Sequence, residues 1–384
     1  MQVNGKAADS DTPVPGVLAK PEQKLLLIQC FRGLAAFAVV LFHAAVIVRE
    51  RSSGDFFWKY FRSGATGVDF FFVLSGFIIL WVHGKDIGQP RRVKVYAWRR
   101  FARVYPLYAI CTLALIPLYL AGFGHAEKMT FGSIAKSFLL LPFPPGEHPI
   151  IGQGWTLCHE ALFYVLFSSF ILFGSRWAVT AATIFLTGSF LSFILPLIGG
   201  VQMSGPYWIS HWIFTPYNLE FMAGCVAALI ARKLPANLMR WCLPVGLAIL
   251  ALVWTIPARD PNELLVPDDR HTSEMILLFI LPYTLITIGA VAWERHRPVS
   301  CPKFLLNLGD ATYSVYLTHF VLISACAGLL LRITAREQTA MRGVFLLAVV
   351  LIACLGYLVY RRFEKPLLSY LRSKEQRIVT GTAH

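Results

Sequence analysis

Charge is what this sequence has least of. Asp, Glu, Lys and Arg make up only 15% of its 384 residues, against about 25% in an ordinary soluble domain. Hydrophobic residues make up 56%, with 29 phenylalanines, and the mean hydropathy is +0.59. A water-soluble globule of this size cannot hide that much apolar surface, so a bilayer must solvate it and membrane lipid is an expected partner. Paired cysteine motifs are missing too. None of Cys30, Cys111, Cys158, Cys225, Cys242, Cys301, Cys326 and Cys354 forms a C-x-x-C pair, and most lie in apolar runs. Neither a disulfide framework nor a metal site is expected from them. The polar first 24 residues lack the charged-then-apolar-then-cleavage layout of a signal peptide, so the first apolar run is expected to stay as a helix. There is no internal repeat, and every polar loop is shorter than about 35 residues. With no inserted soluble domain, any chemistry must occur within the helices.

Ten apolar runs are long enough to span. They cover residues 25–48, 68–83, 104–124, 155–173, 177–198, 212–231, 241–256, 275–293, 311–331 and 344–360. The run 131–141 is too short and reads as interfacial or re-entrant. The expected fold is an all-α polytopic transmembrane helix bundle. It comprises a disordered cytoplasmic tail at 1–24, a membrane domain at 25–365 and a cytoplasmic tail at 366–384. With the N-terminus inside, 23 Lys and Arg residues fall in cytoplasmic segments and 11 in outer ones. That bias puts both termini in the cytoplasm. It also accounts for the net charge of +14 without a nucleic-acid partner.

Ionisable groups inside a bilayer cost several kcal/mol unless paired or wet, so each is a candidate for function. Arg32 and His43 stand eleven residues apart on the first helix. That spacing puts both on one face, about 16 Å apart along the axis. Glu160 sits about 7 Å below the outer face, near the expected depth of His43. A carboxylate there could orient the imidazole, and the imidazole could take a hydroxyl proton. The alternatives are a snorkelling Arg32 and a structural His43 or Glu160 pair. Arg99, Arg100 and Arg103 mark where the third helix meets the cytoplasm. Such clusters bind phosphates, and they also arise from topology alone. Asp69 invites a basic partner, Gly76 suits close helix packing, and Asp310 reads as a helix N-cap. Glu220 and His319 lie deeper, as substrate contacts or as buried structural pairs.

At these residues the sequence resembles the type-three acyltransferases, bacterial inner-membrane enzymes that O-acylate surface polysaccharides, and within them the exopolysaccharide-production branch. The resemblance rests on Phe31-Arg32-Gly33-Leu34-Ala35-Ala36 through His43, Gly67-Val68-Asp69-Phe70-Phe71-Phe72 through Gly76-Phe77, and Arg99-Arg100-Phe101-Ala102-Arg103-Val104-Tyr105-Pro106. It continues with Gly154-Trp155-Thr156-Leu157 through Glu160 to Tyr164, Leu219-Glu220-Phe221-Met222-Ala223-Gly224, and Leu308-Gly309-Asp310-Ala311-Thr312-Tyr313-Ser314 through His319. It implies that Arg32 and His43 serve catalysis and that Arg100 and Arg103 help bind an acyl-coenzyme A donor. The branch carries an aromatic residue just before the glutamate. Here His159 stands instead, which puts a second imidazole near the expected site.

The mechanism this implies runs from the cytoplasm outwards. Arg99, Arg100 and Arg103 hold the phosphates of acetyl-coenzyme A. His43, oriented by Glu160, then deprotonates an acceptor hydroxyl or first takes the acyl group itself, while Arg32 positions the donor. The acceptor is a polysaccharide or lipid-linked saccharide at the outer face, and no metal takes part. A proton-coupled transporter or flippase is the rival reading. Intramembrane charges suit it, although the inverted repeat common in such carriers is missing.

Overall fold

Hydrocarbon leaves backbone N–H and C=O groups no water to bond, so each apolar run must satisfy them within a helix. The computed structural model of the chain follows that rule. It describes residues 25–51, 57–122, 129–198, 208–256, 269–333 and 338–380, and among them there is no strand. The tail at 1–24 lies outside the described residues, as does 381–384. The helices that build the bundle are α1 (Leu26–Arg51), α2 (Gly67–His83), α3 (Val93–Leu120), the short α4 (Phe131–Leu139), α5 (Trp155–Leu197) and α6 (Tyr217–Lys233). They are followed by α7 (Cys242–Trp254), α8 (Asp269–His296), α9 (Lys303–Asp310), α10 (Thr312–Ile333), α11 (Gln338–Val359) and α12 (Lys365–Thr380).

Among the described residues, eight helical segments are long and apolar enough to cross a membrane, and Thr312–Cys326 is a shorter apolar one. One of the eight, Gly152–Leu197, is two spans in sequence. Gly174 divides α5 with φ 85° and ψ −173°, a backbone region essentially reserved for glycine. A continuous helix would separate Ser169 and Trp177 by about 12 Å along its axis. Instead the Trp177 indole donates to Ser169 Oγ at 3.0 Å, so the chain folds back on itself. Counting the halves 155–173 and 175–197 separately, and adding α10, restores the ten spans.

The tightest crossing joins α2 to α6. A Cβ on Gly76 would stand 1.9 Å from the Phe221 carbonyl oxygen, and one on Gly224 would stand 1.8 Å from that of Val73. The glycines let two backbones touch, as small residues do between membrane helices. Beside this crossing Val73, Phe77, Ala227, Ala228 and Val291 form part of a fully buried core. The run at 131–141 becomes the nine-residue α4. Thr130 Oγ1 caps its N-terminus on the Ser133 N–H, and Leu140 ends it in the left-handed region at φ 52°. All eight cysteines are free thiols.

The C-terminal segment departs from a simple tail. After α11 the backbone loosens into a π-helical turn at Tyr360–Glu364. Pro366, just beyond it, has no N–H to donate back along the helix. Helix α12 then lies against α3. The Trp98 indole donates to the Leu371 carbonyl at 3.2 Å, and the Arg99 Nη2 bonds Glu375 Oε1 at 2.7 Å.

Candidate active site

Between α1, α2, α3, α5, α10 and α12 lies a cavity of about 1030 Å³. Ligand pockets generally run from about 300 to 1,000 Å³, so this one suits a large ligand. Its wall carries six basic side chains, Arg32, Arg99, Arg100, Arg103, Lys365 and Arg372, against three carboxylates, Glu160, Asp310 and Glu375. Arg32, Arg99, Arg100, Arg103 and Glu160, read from the sequence as one site, therefore share one cavity.

These arginines are not equivalent. Arg103 Nη1 donates to Glu364 Oε1 at 2.5 Å, and the other oxygen of that buried carboxylate accepts from Ser314 Oγ at 2.6 Å. Arg99 pairs with Glu375. Arg32 and Arg100 differ: among the described residues no carboxylate lies within ion-pair distance of either. Glu160, Glu364 and Asp310 lie within the electrostatic reach of Arg32 but not in contact with it. Arg100 lies 5.7 Å from the ring centres of both Tyr96 and Tyr164 and has a buried Nε with no hydrogen-bond partner.

Glu160 and His43 acquire different partners from those their depth suggested. Glu160 accepts a short hydrogen bond from Tyr164, one turn further along its own helix, and feels the charges of Arg100, Arg103 and Arg32. His43 is not in the cavity wall. Its Nδ1 stands 2.9 Å from the Val39 carbonyl and 3.3 Å from His319 Nε2. Depth along a helix does not fix which way a side chain faces, and a buried carboxylate settles beside guanidinium and hydroxyl groups.

The carbonyls fix the imidazole tautomers. A carbonyl oxygen only accepts, so in the neutral rings His43 Nδ1 carries a proton for Val39, and His319 Nδ1 carries one for the Tyr316 carbonyl at 2.7 Å. His319 Nε2 is then a lone pair facing the His43 N–H. His43 Nε2 is also left as a lone pair, free to accept a proton or attack a carbonyl. Tyr316 links this pair to the cavity. Its ring lies in the wall, and its hydroxyl bonds Thr156 Oγ1 at 2.6 Å and the Gln153 carbonyl at 2.9 Å.

The remaining polar candidates lie elsewhere. His159 is buried among Phe72, Trp155, Trp212 and Tyr217, stacked on the Trp212 ring at 5.2 Å, and is not in the cavity wall. Asp69 has Glu220, another carboxyl, as its ionisable neighbour rather than a base. The two carboxyl groups lie within hydrogen-bonding reach of each other, an arrangement that requires one of them to carry the proton. Asp310 stands two residues before α10 begins at Thr312. It closes α9, and its Oδ1 accepts from Gln29 Nε2 at 2.5 Å. Sequence reasoning missed His83, Asp86, Tyr164 and Glu364. A histidine or carboxylate at the very end of an apolar run, as at His83 and Glu364, was the available signal.

A family model described as an acyltransferase domain matches residues 26–361. The chain belongs to the type-three acyltransferase family. It is similar to the exopolysaccharide production protein ExoZ of Rhizobium meliloti, with 29% identity over 353 residues, 90% of this chain and 98% of that one. It is also similar to the acyltransferase MdmB of Streptomyces mycarofaciens, with 26% identity over 372 residues, 88% of this chain and 90% of the other. A shorter match, 27% identical over 172 residues, joins 39% of this chain to 24% of the peptidoglycan O-acetyltransferase OatA of Listeria monocytogenes. No solved structure matches. This member of the acyltransferase family is a multi-pass membrane protein whose histidine pair and most of whose cavity wall lie inside the matched region, while Lys365, Arg372 and Glu375 of α12 line the cavity from beyond it.

Proposed function

We propose that the protein moves an acetyl group from cytoplasmic acetyl-coenzyme A to a hydroxyl of a surface polysaccharide or lipid-linked saccharide at the outer face of the bacterial inner membrane. The observation that carries this reading is the pair of guanidiniums, Arg32 and Arg100, facing a membrane cavity without a carboxylate partner. Among the described residues neither guanidinium has a carboxylate in contact, so each keeps donors free for a ligand, and a polyanion can meet both at once. Guanidiniums also suit phosphate geometry better than ammonium groups do.

In this scheme Arg100 and Arg32 hold phosphates, and Arg99 joins them by exchanging Glu375 for the ligand. Arg103 stays with Glu364 and shapes the wall. The thioester passes Tyr316 once its hydrogen bond to Thr156 opens. His43 Nε2 takes the proton of the acceptor hydroxyl as the oxygen attacks the thioester carbonyl. The C–S bond then breaks, and His43 returns the proton to the departing thiolate. The ester remains on the sugar. His319 keeps the other face of the His43 ring fixed throughout. ExoZ is named for exopolysaccharide production and OatA for O-acetylation of a cell-wall glycan, and both names support this acceptor class.

Two measurements test the reading. Surface polysaccharide from cells with and without the protein should differ in acyl esters, and identical ester content would overturn the acceptor assignment. Coenzyme A should bind the purified protein in lipid, and Arg32→Ala with Arg100→Ala should weaken that binding at least tenfold. Unchanged affinity would remove the donor site.

A further inference from the structure

The inner rim of α2 holds an arrangement that the mechanism above does not use. The 3-10 turn Gly84–Asp86 brings the Asp86 carboxylate back onto the residue that ends α2, and its Oδ2 accepts from His83 Nδ1 at 2.8 Å. Both residues are buried, His83 at 1% exposure and Asp86 at 8%. The opposite ring nitrogen, His83 Nε2, stands 3.1 Å from Arg100 Nη2. The Tyr96 ring packs edge-on against the imidazole at 4.9 Å.

The protons in this chain can be assigned. A carboxylate only accepts, so the proton of the neutral imidazole is on Nδ1. Nε2 is therefore a lone pair, and the guanidinium N–H donates to it. A second-layer acceptor that fixes tautomer and ring angle in this way is a recurring device around ligand-binding groups. Its effect here differs from that of the neighbouring ion pairs. Arg103 and Arg99 each meet a carboxylate directly, which cancels their charge. Arg100 is held by a neutral ring, and the Asp86 charge lies one ring further away with Arg92 Nε 4.0 Å from its other oxygen. Arg100 is thus fixed in direction and keeps its positive charge for the cavity.

We propose that His83, locked in one tautomer by Asp86, is the positioning residue that aims Arg100 at a phosphate of the acyl donor without neutralising it. This rests on the donor reading above. The decisive comparison is between two replacements of similar length. In His83→Gln the side-chain carbonyl still offers Arg100 a neutral acceptor. In His83→Glu a carboxylate meets the guanidinium directly. Free coenzyme A binding to the protein in lipid nanodiscs is the measurement, with kcat and KM for acetyl-coenzyme A alongside. His83→Gln should bind within about threefold of the parent. His83→Glu should lose at least tenfold in affinity, about 1.4 kcal/mol, with KM rising and kcat nearly unchanged. Thermal stability measured on both variants, and lowered in the Glu variant by repulsion from Asp86, separates a folding defect from a loss of donor binding. In an Arg100→Ala background the two replacements should bind coenzyme A equally. Equal affinity of the Gln and Glu variants in the parent background, or the same difference persisting without Arg100, would overturn the proposal. If the unmodified protein fails to bind coenzyme A, the donor reading falls and this inference falls with it, an outcome the parent control identifies by itself.

Discussion

The Arg103–Glu364 pair sets the stability of the cavity wall. Glu364 is 1% exposed, with one oxygen 2.5 Å from Arg103 Nη1 and the other 2.6 Å from Ser314 Oγ. It thereby ties α3, α10 and the turn after α11 together. Glu364→Gln keeps the shape and the Ser314 contact but leaves the guanidinium without its counter-charge. Breaking a buried pair from one side costs about 3–5 kcal/mol. The Arg103 side chain is 30% exposed, so cavity water relieves part of the loss, and about 3 kcal/mol is expected at the low end of that range. Removing both charges, as in Arg103→Gln with Glu364→Gln, leaves no charge uncompensated and should recover most of it. Unfolding by SDS titration in mixed micelles measures the difference. A Glu364→Gln protein as stable as the parent, or a double variant less stable than both singles, would refute the argument.

Gly224→Val would drive a side chain into the Val73 carbonyl, which a Cβ alone would already approach to 1.8 Å. The α2–α6 crossing should open, with loss of folded protein by size-exclusion chromatography. Gly174→Ala forces a side chain onto a glycine-only conformation and should destabilise by about 1–3 kcal/mol, read in the same SDS titration. His319→Phe removes the acceptor that faces His43 Nδ1 and should cut kcat at least tenfold, whereas His319→Gln, which can still accept, should retain more activity. Equal rates for these two variants would detach His319 from the orientation of His43.

The spans were legible because hydrocarbon permits so few backbone solutions, and Gly174 shows how far that legibility extends. Two apolar runs separated by a few residues read correctly as two helices, and the glycine-only backbone at Gly174 is what parts them. The membership of the cavity was legible for Arg32 and Glu160, since charge at membrane depth needs a reason, and for Arg100 through the family resemblance, since its place at the cytoplasmic end of a helix is equally explained by topology. Their pairings were not. Whether Glu160 faces His43 or Arg100 depends on how α5 is rotated against α1 and α3, and that rotation comes from packing with no local sequence mark. Glu364 and α12 were hidden for a related reason. A charged segment after the last apolar run has the composition of a solvated tail, and only the contacts Trp98–Leu371 and Arg99–Glu375 draw it into the wall. His83 carries no sequence mark beyond its place at a helix end, since Asp86 and Arg100 meet its two nitrogens only in the folded chain.

The most direct test of the account is acetyl transfer by purified protein in lipid vesicles, with labelled acetyl-coenzyme A outside the cytoplasmic face and the cell's own polysaccharide as acceptor. The parent should release coenzyme A and label the glycan, whereas His43→Ala should bind coenzyme A with parental affinity and label nothing. Parental transfer rates in His43→Ala would contradict the account.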